Sequence, residues 1–280
     1  MTRLAPPNVA LLERLVPFVV ATESVRARLD TSPFDLALSP DCVLDPLRSE
    51  STQLLERLWA LDTATFGPGL MAMPRWILLD GAGLSGAIVG LASHPENASD
   101  AVLEILGLER PVAGLVPYSM YIAIPSFEAD TWVGHNLASL GVRRPEGESL
   151  AGLGSLTKAI ALRILRARCQ LGAAQWDSVA LRVHVRLGAL RLLTAWTPAH
   201  SKASTFTYAA RIDEASLRHL ARDPGGRVSM PRAEYWLATD DHAGMQALQQ
   251  KIEDGEPWYI VGPPRSEASG VERVPLARSG

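Results

Sequence analysis

Residues 132–171 join an apolar segment, a glycine-bearing loop and a long helical pattern, and this order of features restricts the fold more than any other stretch. The segment 132–142 has the length and composition of a strand. Gly152 and Gly154 follow it, and apolar residues then recur at helical spacing through 155–171. A helix that starts beside glycines offers unpaired backbone N–H groups and the positive end of its dipole. The stretch therefore predicts a strand, a turn and a helix start suited to a phosphate group.

Composition limits the partners of the chain. It has 280 residues, of which 47% are hydrophobic, enough for one sizeable domain with appendages or two modest ones. The net charge of −3 comes from dispersed residues, whereas nucleic-acid-binding proteins carry a basic stripe, so we expect no nucleic-acid partner. Cys42 and Cys169 form neither a disulfide framework nor a metal-binding pair. Because the N-terminus lacks a basic-then-apolar leader and no apolar run reaches roughly 18 residues, we expect a cytoplasmic protein with no membrane partner. Because the cysteines form no metal-type pair, we expect no metal.

The predicted organisation has four parts. Residues 1–74 are predicted to be a helical segment that packs on the core, because apolar residues recur at helical spacing, most clearly over 51–61. Residues 75–212 form the predicted core. A C-terminal extension follows over 213–262, and residues 263–280, rich in Pro, Gly, Ser and charge, are predicted to be a loose tail.

Within this organisation, strands and helices are expected to alternate. Besides the central strand, strands are predicted over 75–79, 86–92, 118–124, 178–185, 205–212, 235–238 and 257–261. Besides the central helix, helices are predicted over 187–196, 214–222 and 242–253. The Asp80-Gly81 dipeptide is a hairpin-turn signal and indicates a hairpin between the first two of these strands.

The glycines in that hairpin allow a second interpretation. Gly81, Gly83 and Gly86 have the GxGxxG spacing of a dinucleotide-binding loop after a predicted strand. That motif needs a helix after the glycines and an acidic residue about 20 positions further on, at the end of the next strand. A short apolar run follows instead, and it ends at His94-Pro95. A nucleotide-fold oxidoreductase that uses this motif is therefore the second enzyme hypothesis.

The order of elements over 132–212 resembles the GNAT superfamily of acyl-CoA N-acyltransferases. Members of that superfamily carry a loop of the form Gln/Arg-x-x-Gly-x-Gly/Ala between a central strand and a helix. Here Gly152 and Gly154 match, and Ser149 replaces the usual Gln or Arg. The resemblance implies an α/β (α+β) fold with a mixed, mostly antiparallel sheet flanked by helices, and acetyl-CoA or another acyl-CoA as co-substrate.

A second motif of the superfamily, Asn-x-x-Ala-x-x-Leu-Tyr-x-x-x-Gly-Phe, is degenerate in this sequence. Ala189 and Leu192 match, but Arg186 replaces the Asn and Leu193 replaces the Tyr that often serves as the general acid. If this alignment holds, the proton for the departing thiolate must come from another residue, or the activity differs or is lost.

The cofactor-binding residues follow from the loop and from the resemblance. Backbone N–H groups around the glycines are expected to hold the pyrophosphate, and two arginines before the loop to contact phosphate oxygens. The resemblance adds two residues of the central strand, whose backbone pairs with the pantetheine arm. Together, the predicted cofactor-binding residues are, in chain order, Leu140, Val142, Arg143, Arg144, Gly152, Leu153, Gly154 and Ser155.

Acyl transfer to an amine also needs a base. His135 lies on the predicted central strand and histidine titrates near neutral pH, so it is the first candidate, although a structural role is the alternative. Glu128 and Asp130 precede that strand and can hold an amine or simply be surface carboxylates. His184 lies on a predicted strand as a further catalytic candidate or a packing residue, and Tyr208 can line the acceptor pocket or fill a sheet face.

The sequence thus predicts an enzyme that moves an acetyl or other acyl group from acyl-CoA to an amine of a small molecule, and it leaves a homodimer open. A non-catalytic GNAT-like ligand-binding or interaction protein is the alternative from another class. The missing loop Gln or Arg at Ser149 and the missing Tyr at Leu193 favour that alternative.

Overall fold

The computed structural model of the chain describes residues 6–30, 38–69, 71–197, 204–223, 226–266 and 270–280. The chain divides into two compact units. Unit 1 comprises Met1–Ala167 and Ala221–Pro224, and unit 2 comprises Arg168–Leu220 and Gly225–Gly280. The division therefore falls after residue 167, inside the predicted core, and not at the boundaries expected from composition.

Unit 1 contains a sheet with the strand order β2-β1-β3-β4-β5. Its strands are β1 (Val16–Val20), β2 (Val43–Leu44), β3 (Ala87–Ser93), β4 (Val116–Pro125) and β5 (Thr131–Ser139). The pair β1–β2 is parallel, and the pairs β1–β3, β3–β4 and β4–β5 are antiparallel. All residues of β3 are buried, as are the first eight of β4, which is typical of strands covered on both faces.

Helices cover both faces of this sheet. They are α1 (Pro6–Leu12), α2 (Glu23–Arg26), α3 (Thr52–Phe66), α4 (Arg75–Gly83), α5 (Asp100–Ile105) and α6 (Leu153–Ile164). On β4, the Ser119 hydroxyl is hydrogen-bonded to the Thr157 hydroxyl of α6 at 2.6 Å. Ile122, which points to the other face, packs against Gly81 of α4. The sheet of unit 1 thus lies between α6 and the α3–α4 pair.

Unit 2 has a second antiparallel arrangement. Its strands are β6 (Cys169–Gln175), β7 (Leu190–Thr194), β8 (Thr205–Arg211), β9 (Tyr235–Ala238), β10 (Tyr259–Ile260), β11 (Arg265–Ser266) and β12 (Glu272–Ala277). They follow the order β6-β8-β7-β10-β12-β11, and β9 also pairs with β12. Its helices are α7 (Leu181–His184), α8 (Glu214–Leu220) and α9 (His242–Glu253). The prediction of a mixed, mostly antiparallel sheet flanked by helices is confirmed.

The predicted hairpin over 75–92 is wrong, because its first half is the helix α4. Leu78, Gly81 and Ala82 are its buried residues, and this i, i+3, i+4 spacing belongs to a helix. Gly81 serves close packing rather than a turn: a Cβ there would lie 3.3 Å from Ile122. The GxGxxG glycines therefore end a helix and precede a strand, which is the reverse of the order that a dinucleotide loop requires.

The predicted helix over 155–171 ends early. Arg166 adopts a left-handed backbone with φ 51°, and the N–H of Ala167 donates to the carbonyl of Leu162 at 3.0 Å. This is the hydrogen bond of a Schellman closure, here without the glycine that usually signals it. Cys169 consequently begins β6 and does not belong to the helix.

The predicted strand over 178–185 and the predicted helix over 187–196 are exchanged in the structure. Leu181 and His184 are the buried residues of α7, and Val185, in the 3-10 turn that continues it, is buried as well, so the burial there follows a helical period. In β7, Leu190 and Leu192 are buried while Arg191 is exposed, which is the alternation of a strand. Short apolar runs fit both periods, and the sequence alone did not separate them.

Two predictions about the termini are also corrected. The N-terminal segment is not only helical, because β1 enters the sheet between β2 and β3. The predicted loose tail contains β12, in which residues 274–277 are all buried. A short apolar run within a polar stretch is enough to complete a sheet when neighbouring strands supply the partners.

We expect Gly86→Ala to destabilise the protein and Gly83→Ala not to. A Cβ at Gly86 would lie 2.1 Å from the carbonyl oxygen of Gly81 and 2.7 Å from that of Ala123, so backbone must move. We expect Gly86→Ala to cost about 1–3 kcal/mol or more. A Cβ at Gly83, in α4, would have its nearest neighbouring atom 3.8 Å away, so alanine fits there without movement. The higher helix propensity of alanine then stabilises the helix by up to about 1 kcal/mol. Urea denaturation of both variants measures the difference, and equal stabilities would contradict the packing role.

Candidate functional site

The start of α6 is the best-defined candidate site in unit 1. Gly152 is the N-cap residue, its backbone is left-handed with φ 90°, and no side chain caps the helix. The N–H of Leu153 donates to the carbonyl of Leu150 at 3.1 Å. Within the described residues, the N–H groups of Gly152, Gly154 and Ser155 donate to no protein acceptor. These three donors and the positive helix end can bind an anion.

The loop before this helix is held in place by the side chain of Glu148. The side chain of Glu148 turns inward, where Arg14 donates to its carboxylate at 2.7 Å and the Tyr118 hydroxyl donates to it at 3.3 Å. Burial and the charge of Glu148 raise the pKa of the Tyr118 hydroxyl above its ordinary value. Gly141 also packs against the loop, since a Cβ there would lie 3.1 Å from the carbonyl oxygen of Leu150. Glu148 is therefore neutralised within the protein and does not face a ligand at the helix start.

Three exposed arginines lie in or beside the loop. Arg143 and Arg144 are the two predicted from the sequence, and the third, Arg222, was not predicted. A Cβ at Gly152 would lie 3.3 Å from the guanidinium carbon of Arg222, so that cation sits over the helix start. Asn8 of α1, by donating to the carbonyl of Ala221, ties the segment of Arg222 to unit 1.

Two of these arginines have strained backbones. Arg144 has φ 47° and Arg222 has φ 55°, both in the left-handed region that residues other than glycine rarely adopt. Backbone strain of this kind concentrates at ligand clamps and other functional sites.

The central strand ends earlier than the sequence indicated. β5 stops at Ser139, whose hydroxyl accepts from the N–H of Gly141 at 3.3 Å, and a 3-10 turn spans Leu140–Val142. Leu140 is fully buried and Val142 is exposed. The prediction that their backbone pairs with a ligand as an added strand is corrected, because a 3-10 turn does not present the ladder of a strand.

A β-bulge interrupts β5 at His135. Ile122 of β4 pairs with Asn136 and Ala123 pairs with Gly134, so His135 has no opposite residue on β4. Bulges redirect side chains and are common beside active sites. The side chain of His135 is exposed.

A buried carboxylate lies behind this bulge. Asp62 of α3 is fully buried; its Oδ1 accepts from Nδ2 of Asn136 at 2.6 Å and its Oδ2 accepts from the N–H of Met73 at 2.7 Å. Burial raises the pKa of the Asp62 carboxyl, while the two hydrogen bonds and the charge of His135 act in the opposite direction. The Asp62 carboxyl therefore binds its proton more tightly in the folded chain than in the unfolded chain. As a result, the contribution of Asp62 to the free energy of unfolding falls as the pH rises above the ordinary carboxyl range.

The other catalytic candidates lie elsewhere. Glu128 and Asp130 are exposed in the turn before β5, at the opposite end of that strand from the glycine loop. His184 is buried in unit 2, with its ring centroid 5.3 Å from that of Tyr208. Tyr208 is fully buried, and its hydroxyl accepts from Gln170 at 3.1 Å. The contacts of His184 and Tyr208 in unit 2 are those of a packed aromatic cluster.

Leu193 does not occupy the position that the second motif gave it. The stretch from Arg186 to Leu193 passes from a 3-10 turn into β7, whereas the motif describes a helix. The substitution of Tyr by Leu at this place therefore carries no information about a general acid. The sequence did not predict Asp62 or Arg222 as site residues. Asp62 stands in a clear helical pattern, and Arg222 lies beyond the predicted core, so neither carries a local signal of a functional role.

The described parts of the chain contain neither a metal-type cluster of side chains nor a helix suited to spanning a membrane. Within those parts, His, Cys, Asp and Glu residues do not gather in groups of three or more that suit a metal ion. None of the helices described there has both the length and the apolar character needed to cross a membrane.

Comparison with known proteins identifies similar structures but no sequence relatives. No protein-family model matches the chain, and no curated protein matches it. Solved structures that are similar include the ribosomal-protein-S18-alanine N-acetyltransferase from Escherichia coli, the aminoglycoside 6'-acetyltransferase type Ii, and a protein from Desulfovibrio desulfuricans assigned to the GNAT acetyltransferases.

These likenesses are partial. In the same order, identities are 11%, 11% and 13%, and TM-scores are 0.37, 0.38 and 0.37. They cover 58%, 59% and 57% of this chain and 90%, 95% and 92% of the solved chains.

We expect Gly152→Ala and Gly154→Ala to have opposite effects on stability. A Cβ at Gly152 forces a left-handed backbone on alanine and crowds Arg222, at a cost of about 1–3 kcal/mol. A Cβ at Gly154 would meet only ordinary contacts, 3.7 Å from Ser139, and alanine favours the helix by up to about 1 kcal/mol. Thermal and urea unfolding of the two variants tests this, and a Gly152→Ala protein as stable as the natural chain would refute the strained corner.

Proposed function

We propose that the protein transfers an acetyl or other acyl group from acyl-CoA to an amine of a small molecule. The observation that carries the proposal is the start of α6, where the N–H groups of Gly152, Gly154 and Ser155 have no acceptor among the residues that the structure describes and exposed arginines lie nearby. Such helix starts bind phosphates, and arginine adds charge-assisted hydrogen bonds to their oxygens. The pyrophosphate of acyl-CoA is an anion of this kind.

The same strand that leads into the loop carries the candidate base. His135 precedes the end of β5 at Ser139 by four residues, or roughly 13 Å at the rise of a strand. The extended arm that joins the diphosphate of CoA to its thioester can bridge that length. This arrangement supports His135, rather than Glu128 beyond the far end of the strand, as the group next to the reacting atoms.

In the proposed reaction the amine nitrogen attacks the thioester carbon. A C–N bond forms and the C–S bond breaks, which releases CoA. His135 takes the proton that the nitrogen loses, and the departing thiolate takes a proton from water. General-base catalysis of this type contributes about 10²–10⁴-fold to the rate.

We expect acetyl-CoA to bind the natural chain and Arg222→Met to weaken that binding by about 10-fold or more, because a charge-assisted hydrogen bond contributes roughly 1.5–3 kcal/mol. The double variant Arg143→Met, Arg144→Met should show a similar loss. Isothermal titration calorimetry measures the dissociation constants. The control is Arg48→Met, an exposed arginine that follows β2 at the sheet edge opposite β5. No acetyl-CoA binding at millimolar concentration would refute the proposed function.

We also expect His135→Gln to lower the rate of thiol release in the presence of an amine by about 10²-fold or more, with acetyl-CoA binding unchanged. A thiol-detection assay across primary amines measures the rate. Thiol release by His135→Gln at the natural rate would exclude His135 as the base. Acetyl-CoA binding with no thiol release by the natural chain would instead favour the non-catalytic binding protein.

A further inference from the structure

The carboxamide of Asn136 is held in one orientation. Its Nδ2 donates to Asp62 Oδ1 at 2.6 Å, so the amide nitrogen points at the buried carboxylate. A carboxamide has its oxygen on the other branch, so Oδ1 of Asn136 points away from Asp62. Among the described residues, no group donates a hydrogen bond to this oxygen. Asn136 therefore offers one fixed hydrogen-bond acceptor.

Asp62 is itself fixed. Its second oxygen accepts from the backbone N–H of Met73 in the connection between α3 and α4, and the side chain is fully buried. A carboxylate held at both oxygens cannot turn, and its charge-assisted hydrogen bonds are stronger than those between neutral groups. Keeping a carboxylate in a buried position is unfavourable unless its partners are retained.

The fixed acceptor lies beside the candidate base. His135 and Asn136 are consecutive at the bulge of β5, and the charge of His135 acts on Asp62. A neutral primary amine has two N–H bonds, of which the reaction removes one. The other needs an acceptor while the nitrogen attacks, and a fixed carbonyl oxygen next to the base provides it.

We propose that Asn136 binds the acceptor amine through its Oδ1, that Asp62 is the positioning residue that orients it, and that the enzyme therefore prefers primary amines; this inference rests on the proposed function. A secondary amine has a single N–H bond in its neutral form and cannot both donate to Asn136 and give a proton to His135. Asn136 thus selects primary over secondary amines, and Asp62 acts only through Asn136.

The surroundings suggest a probe with an apolar body. Met71 and Trp76, which flank Met73 in the α3–α4 connection and the first turn of α4, are 52% and 60% exposed. Exposed apolar side chains on the segment that hydrogen-bonds Asp62 suit a ligand with an aryl or alkyl group. Phenethylamine is the probe, and N-methylphenethylamine is the matched secondary amine.

The variant Asp62→Asn tests the positioning role without emptying the site. The N–H of Met73 requires the oxygen of the new carboxamide, whose nitrogen must then donate to Asn136. Asn136 therefore turns, and its amide nitrogen replaces Oδ1 as the group that faces the amine. We expect KM for phenethylamine to rise about 10-fold or more, with the dissociation constant of acetyl-CoA unchanged.

The exchange Asp62→Asn, Asn136→Asp provides the rescue. A carboxylate at position 136 accepts from the carboxamide at position 62 with one oxygen and offers the other to the amine. We expect KM for phenethylamine to return to within about threefold of the natural value. Asp41→Asn, an exposed carboxylate before β2, is the control for loss of charge.

Binding and kinetics together separate the two proposals. A folded Asp62→Asn protein with the natural KM for phenethylamine, or a folded exchange variant without rescue, overturns the positioning role. Equal turnover of phenethylamine and N-methylphenethylamine overturns the preference for primary amines. If calorimetry detects no phenethylamine or n-butylamine at millimolar concentration while acetyl-CoA binds, this inference fails and the proposed function stands. If acetyl-CoA does not bind, the proposed function fails.

Discussion

The left-handed backbone of Gly152 is the constraint on which the candidate site depends. At φ 90° the chain turns from the loop into α6, and the N-cap residue has no side chain of its own to cap the helix. Any residue with a Cβ would adopt this conformation only with strain of about 1–2 kcal/mol. The N–H of Leu153 is used by Leu150 in this corner, while those of its neighbours remain available. The same turn therefore shapes the loop and exposes the donors.

A second constraint is the tie between the α3–α4 connection and β5. Asp62 joins them through two hydrogen bonds to a buried carboxylate. An apolar pair of similar volume would hold the same elements at least as well, because removing a charge from water is costly. A perturbed carboxyl next to an exposed histidine and a bulge is instead typical of functional sites. Stability alone does not account for Asp62.

The sequence predicted elements whose pattern fits one period only. The strands over 118–124 and 205–212, the helix over 242–253 and the glycine loop were placed correctly. The errors lie where a short apolar run fits both periods, as in α4, or where a helix closes on a non-glycine residue such as Arg166. The loop residues of the site were visible because they are consecutive. Asp62 and Arg222 were not, because only the folded chain brings them to β5 and to Gly152.

The position of the Arg222 guanidinium favours binding of an anion at the start of α6. Its guanidinium lies at the positive end of the α6 dipole, which is unfavourable for a cation. Arg143 and Arg144 add positive charge in the loop, and its most buried carboxylate, Glu148, is already neutralised by Arg14. A negative ligand between the arginines and the N–H groups would convert these repulsions into attractions. Anion binding would then stabilise the folded chain by mass action. The backbone strain at Arg144 and Arg222 would thereby be offset when the proposed pyrophosphate is bound.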